Sequence, residues 1–359
     1  MAKIDAFFKL MFDQGASDLH LASGMPPIVR LRGEMAHVKY KVLENDELKT
    51  MLYEIAPEIK IKQFEETGDV DFGYEIPGVA RFRANFFNQK NGCAAVFRQI
   101  PSKVLSAEDL GLSPILTQAA MYKKGLVLVT GPTGSGKSTT LAAIIDFANK
   151  HRKDHIITVE DPIEFVHESK GCLVNHREVG RHTKSFGSAL KGALRQDPDI
   201  ILVGEMRDLE TIRLAVEAAA TGHLVFGTLH TINACKTIDR VIEVFPHEEQ
   251  GQIRNTLATS VKLIVAQNLF KRIDKKGRCC ALEILVGTSA IQNLIRENKT
   301  YQIPSMMQTG KKVGMVTLDD AIMALLEKKW ISPEEAFEKC VDKTKFLPFL
   351  KEVPADYFG

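Results

Sequence analysis

One stretch limits what this chain can fold into: Gly131-Pro132-Thr133-Gly134-Ser135-Gly136-Lys137-Ser138-Thr139. It satisfies G-x-x-x-x-G-K-[ST], with Gly131, Gly136, Lys137 and Ser138 at the defining positions. Before it, Leu126-Val127-Leu128-Val129-Thr130 is a short apolar, β-branched run of the kind that forms a buried parallel strand. After it, Thr139 to Asn149 is rich in Ala, Leu and Ile and predicts a helix. Strand, glycine-rich loop and helix together make a phosphate cradle. Glycines let backbone N–H groups approach phosphate oxygens, and the helix N-terminus adds a favourable dipole. Gly131, Thr133, Gly134, Ser135, Gly136, Lys137, Ser138 and Thr139 are therefore the expected nucleotide-binding residues. Lys137 would reach the β- and γ-phosphates, and the Ser138 hydroxyl would help hold Mg²⁺. The chain is expected to bind a nucleoside triphosphate.

Composition narrows the class. With 359 residues the chain is long enough for two cores. A formal net charge of +2 is far from the strongly basic balance of a protein that wraps nucleic acid. The opening segment holds Phe7, Phe8, Leu10 and Met11 but is broken by Lys3, Asp5 and Lys9, so it lacks the apolar core of a signal peptide. No later stretch approaches the length of a membrane span, and a cytoplasmic protein is expected. The six cysteines contain no C-x-x-C pair, so reduced thiols are expected and a zinc site is not.

Taken in order, residues 1–100 predict a small α+β domain, 101–124 a linker, and 125–359 a nucleotide-binding domain ending in helices from about residue 250. In the first domain, Ile4, Phe7, Phe8 and Met11 share one helix face. Ser17–Leu21, Ile28–Arg32, Asp69–Ile76 and Arg81–Phe87 alternate like half-buried strands, and a helix follows from Asp46. In Arg81–Phe87 the residues Phe82, Ala84 and Phe86 share one face, and Arg81, Arg83 and Asn85 the other. That second face is either a solvated charged surface or two arginines aimed at an anion, and the pattern leaves both open. Later, Ile156–Val159, Ile200–Val203 and Leu224–Thr228 join the first run as apolar strands with polar ends, separated by helical segments at Phe186–Leu194 and Leu209–Ala220. Past residue 250, Ile253–Phe270, Ala290–Asn298, Leu318–Lys328 and Pro333–Cys340 predict helices. The basic run Lys271–Arg278 predicts a solvated loop.

In doubly wound sheets ligands lie beyond the carboxyl ends of the strands. Glu205, one glycine after its strand, is placed to polarise a lytic water or to charge the start of the next helix. Glu160 ends another strand before Asp161-Pro162; it either supports the water or the Mg²⁺ shell, or caps a turn. His223 and His230 bracket a strand, as satisfied polar groups or as a γ-phosphate sensor.

The segments Gly131–Thr139, Ile157–Phe165, Ile201–Asp208 and Thr221–His223 through Thr228–Thr231 resemble the Walker A, Asp, Walker B and His boxes of the type II/type IV secretion ATPases. Gly15–Leu21, Ala80–Arg83 and Ala290–Glu297 resemble the pilus-retraction members of that family. The resemblance implies a PAS-like N-terminal domain, a RecA-like ATPase domain and a homohexameric ring. It also implies ATP and Mg²⁺ as ligands and an inner-membrane pilus platform as partner at the cytoplasmic face, with neither nucleic acid nor zinc. By the same resemblance Glu205 is the main catalytic carboxylate, Glu160 its partner, His230 and His223 the phosphate-sensing pair. Arg81 and Arg83 are then arginines that approach the nucleotide. Two departures stand out. Gln292 occupies a position that retraction members usually fill with Arg, and the zinc insertion and long N-terminal extension of pilus-extension members are missing. Besides a retraction motor, an accessory paralogue that joins the ring without retracting pili alone, or a nucleic-acid translocase on the same core, fits the pattern.

Overall fold

A computed structural model describes residues 2–31, 33–100 and 104–352. Arg32 of the expected second strand, residues 101–103 of the expected linker, Met1 and residues 353–359 lie outside the described residues. The chain divides into two compact units. One comprises Met1–Val104, Glu160–Val166 and Glu178–His182; the other comprises Leu105–Val159, His167–Arg177 and Thr183–Gly359.

The first unit contains α1 (Asp5–Gln14), β1 (Asp18–Ala22), β2 (Ile28–Leu31), β3 (Glu34–His37), α2 (Asn45–Tyr53), α3 (Glu58–Thr67), β4 (Asp69–Ile76), β5 (Ala80–Gln89) and β6 (Gly92–Ile100). Its strands form an antiparallel sheet in the order β3-β2-β1-β6-β5-β4. Binary alternation holds in β5: Ala80, Phe82, Ala84 and Phe86 are buried, while Arg81, Arg83 and Asn85 take the other face. Phe8 of α1 closes that core. Its ring stacks on Phe82 with centroids 4.5 Å apart and meets Phe97 of β6 edge-on at 4.8 Å. Such pairs add about 0.5–1.5 kcal/mol beyond the area they bury. Helix α1 stops at Gly15, which adopts φ 64 and accepts the left-handed cap at no steric cost.

The second unit contains α4 (Pro114–Ala120), β7 (Gly125–Thr130), α5 (Lys137–His151), β8 (His155–Glu160), β9 (Leu173–Glu178), α6 (Phe186–Ala193), β10 (Ile200–Val203), α7 (Leu209–Thr221), β11 (Leu224–Leu229), α8 (Ala234–Glu243), α9 (His247–Ser260), β12 (Val261–Lys271), β13 (Arg278–Val286), α10 (Ser289–Arg296), α11 (Ile303–Thr309), α12 (Leu318–Glu327) and α13 (Pro333–Lys339). The terminal residues Glu160 and Glu178 of β8 and β9 group with the first unit. The sheet order is β13-β12-β7-β11-β10-β8-β9. All four expected strands are present: β7, β8, β10 and β11 run parallel, buried on both faces by helices.

The expectation of a helix over Ile253–Phe270 is overturned. Helix α9 ends at Ser260, and β12 then pairs in parallel with β7 and antiparallel with β13. A short, fully buried apolar run carries no period that separates strand from helix. Here the run Val261-Lys262-Leu263-Ile264-Val265-Ala266 finds the open edge of β7, and the ladder bonds decide. The region from about residue 250 is therefore not all helical; a hairpin extends the sheet. The basic run is its exposed turn, where Arg272 lies 3.9 Å from the Trp330 ring centre and pairs with Asp274. Helices α10, α12 and α13 fall close to their expected ranges, and the Ser332 hydroxyl caps α13 by accepting the Glu335 N–H.

Candidate active site

The phosphate loop leaves the sheet at Thr130, whose partner across the ladder on β11 is Leu229. Two of its glycines are required by what packs behind them. A Cβ at Gly131, where φ is 139, would lie 2.3 Å from the Gln267 carbonyl oxygen, and one at Gly136, where φ is 88, would lie 2.9 Å from Gln267 Nε2. Loop and β12 backbone thus approach as only glycine permits. The buried Lys137 ammonium donates to the carbonyls of Gly131 (2.9 Å) and Pro132 (3.0 Å). Ser135 Oγ is buried with no hydrogen-bond partner among the described residues. A buried cation, an unsatisfied hydroxyl and the start of α5 at Lys137 together fit a polyphosphate. Thr133 and Gly134 are exposed at the loop tip, while Ser138 and Thr139 are half-buried in the first turn of α5.

Strand β10 lies beside β11, with Val203 paired to Gly227, so Glu205 and His230 emerge at the same sheet edge as the loop. There His230 Nε2 is 2.8 Å from Glu205 Oε1, and Arg207 donates its Nε–H to the same oxygen. Burial pushes the Glu205 carboxyl up, but the Arg207 guanidinium and His230 outweigh it and hold the group below the usual carboxylate range. An ionised carboxylate only accepts, so the His230 proton sits on Nε2. Capping of the next helix falls to another residue: Asp208 accepts the Thr211 N–H at 2.8 Å. Strand-end placement accounts for the meeting of Glu205 with His230; it gives no sign of the part taken by Arg207.

His223 is not brought to this edge. It precedes β11 at the amino end of the strand, where its N–H and Nδ1 both lie 3.1 Å from the Ala218 carbonyl oxygen, closing the end of α7. Histidines that bracket a strand stand at its opposite ends, so the bracketing pattern could not place both at one phosphate.

In the first unit Arg81 and Arg83, two apart on β5, have different surroundings. Arg81 is largely shielded and donates to Glu178, whose Oε2 also accepts the Ile163 N–H at 3.0 Å; Glu75 lies 3.6 Å away. Arg83 is half-exposed and forks onto Asp71, with Nε 2.8 Å from Oδ2. The Asp71 hydrogen bond raises its already high pKa further. Glu160 is buried and its Oε2 accepts the Glu164 N–H at 3.1 Å, the turn-capping geometry. Beside it, burial pushes the Asp161 carboxyl up. Gln267 belongs to the second unit's site without any signal in its local sequence, since nothing there marks a residue that will sit under the loop. Among the described residues no cluster of three or more His, Cys, Asp or Glu side chains could hold a metal, and no helix is long and apolar enough to cross a membrane.

Residues 2–329 match the family described as Type II/IV secretion system protein. The chain is 56% identical to the type IV pilus retraction ATPase PilT of Pseudomonas aeruginosa, over 91% of this chain and 94% of that one. It is 50% identical to a twitching motility protein of Neisseria gonorrhoeae (86% and 83% covered) and 38% identical to the type IV pilus ATPase PilU of P. aeruginosa (93% and 87% covered). A crystal structure of the pilus retraction motor PilT with bound ADP superposes with a TM-score of 0.89 at 44% identity, covering 96% of this chain and 99% of that one. With that architecture repeated across nearly its whole length, the chain belongs to the type II/IV secretion system protein family.

Proposed function

We propose that this chain is a Mg²⁺-dependent ATPase that works as a homohexameric ring at the cytoplasmic face of the inner membrane, docks on a pilus platform and powers type IV pilus retraction. The observation that carries the reading is the Glu205–His230 pair, bonded at 2.8 Å at the sheet edge from which the phosphate loop also springs. Lys137 and the loop N–H groups bind the phosphates, and Ser138, half-buried in the first turn of α5, is the residue that would hold Mg²⁺. When bound, the ion supplies charge neutralisation on the β- and γ-phosphates. Glu205 Oε1 is taken by His230 and Arg207, which leaves Oε2 to accept a proton from the attacking water as it adds to phosphorus. His230 orients that carboxylate, and Arg207 keeps it ionised.

Of the two arginines, Arg83 has the exposure and exchangeable partner that suit a charge offered to a nucleotide on a neighbouring subunit, whereas Arg81 is committed to Glu178. Glu160 serves the turn that carries Asp161 and supports the site indirectly. The 56% identity to a protein named as a type IV pilus retraction ATPase, over 91% of this chain, supports the retraction reading. The test is expression in cells that lack their own retraction motor, with labelled pili followed over time. Pili that shorten, and stop shortening in Glu205→Gln, support the reading. Static pili alongside measurable ATP hydrolysis in vitro overturn it in favour of the accessory role.

A further inference from the structure

We propose that Gln267, on β12, is a positioning residue for the phosphate cradle: its side-chain amide sets the direction of the Gly136 N–H through the Ser135–Gly136 peptide. The inference rests on the reading of this loop as a nucleotide site and names what holds it in a binding conformation.

Gln267 is buried and bonded at both ends. Nε2 donates to the Ser135 carbonyl oxygen at 2.6 Å, and Oε1 accepts the Thr140 hydroxyl at 2.8 Å. The Ser135 oxygen can only accept, so the amide must turn its NH₂ toward the loop, and the Thr140 hydroxyl holds it that way round. A trans peptide is planar, with its C=O and N–H on opposite sides. Fixing the Ser135 oxygen against β12 therefore turns the Gly136 N–H away from β12, to the side left for an incoming phosphate. A phosphate loop aims its N–H groups inward and so its carbonyls outward. An outward carbonyl packed against a strand needs a donor, because a buried acceptor left unpaired is costly.

The amide stands on a rigid support. Ala266 is in register with Thr130 of β7, which places Gln267 level with Gly131, and Leu282 of β13 pairs with Gln267 from the other side. The same residue presses on both glycines of the motif, with its carbonyl oxygen behind Gly131 and its Nε2 behind Gly136. One residue of the hairpin thus backs both ends of the loop, by its carbonyl at Gly131 and by its side chain at Gly136, and its side chain also reaches Thr140 in the first turn of α5.

The full-length protein carrying Gln267→Met keeps side-chain length and apolar packing but cannot donate. ADP affinity by calorimetry should fall about tenfold, the size of one lost net hydrogen bond, and the KM for ATP should rise with it. The kcat at saturating ATP should stay within about threefold, because Glu205 and His230 are untouched. Thr140→Val frees the amide to rotate and should weaken ADP by roughly threefold, and Thr140→Ser, which retains the hydroxyl, should restore it. Wild-type ADP affinity in a folded Gln267→Met overturns the clamp and leaves the ATPase reading standing, as does a loss confined to kcat. A wild-type chain that binds no ADP overturns both. If Gln267→Met does not fold, the Thr140 pair decides, and equal affinities in Val and Ser overturn the proposal.

Discussion

Arg81 with Glu178 in the first unit, and Glu205 with His230 and Arg207 in the second, are charged clusters of similar make-up in opposite surroundings. The side chains of Arg81 and Glu178 are 10% and 4% exposed. Those of Glu205, His230 and Arg207 are 19%, 44% and 76% exposed. Charges removed from water are costly to separate, so the first cluster is an anchor that ties β5 to the end of β9 and to the Ile163 N–H. In the second, a shielded carboxylate is surrounded by partners that water reaches, so its bonds can be exchanged during a reaction cycle. Exposure, more than the identity of the residues, separates the fastening from the cluster proposed to carry the chemistry.

Glu205→Gln puts this contrast under the greatest strain. Turnover of ATP should fall by about 10²–10⁴, the range of a positioned general base, while ADP affinity stays within a few-fold. Phosphate release and calorimetry on the same preparation check it, and normal turnover would remove Glu205 from the chemistry. Next in size, Glu178→Ala should destabilise the fold by up to about 3–5 kcal/mol by taking from the largely shielded Arg81 guanidinium its buried partner and leaving the exposed Glu75. Asp71→Ala, which strips the half-exposed Arg83 of its partner, should cost less than about 1 kcal/mol. Urea unfolding midpoints of the two variants test the contrast; equal shifts would mean that burial does not distinguish the arginines.

The smallest effect concerns pH. Arg207 and His230 hold the Glu205 carboxyl low against burial, so the stabilisation from this ionised group is present above the unfolded glutamate pKa and is lost as pH falls through the depressed folded value. Arg207→Ala should raise that value and move the acid limb of the kcat profile to higher pH. An unmoved limb would leave His230 alone responsible.

Much of the molecule is legible in its amino-acid sequence. The phosphate loop, its flanking strand and helix, the parallel runs and the carboxyl-end placement of Glu205 and His230 all follow from contiguous patterns, because a strand end, a glycine turn and a helix start are local events. The alternation in β5 likewise puts Arg81 and Arg83 on one face, yet pattern alone offers both the same choice of roles. Their difference comes from partners: Asp71 lies on the neighbouring strand β4, whereas Glu178 is 97 residues along the chain. The same reason explains the Ile253–Phe270 segment, whose apolar run becomes β12 instead of a helix only because the edge of β7 is free to receive it. Sequence periodicity therefore sets which segments fold and which chemistry they carry. It took the tertiary contacts to lock one arginine and leave the other exchangeable, to stand His223 at the far end of its strand from His230, and to bring Gln267 under the loop from 132 residues beyond Ser135. Those outcomes are set by hydrogen bonds and burial between distant segments, which no local pattern encodes.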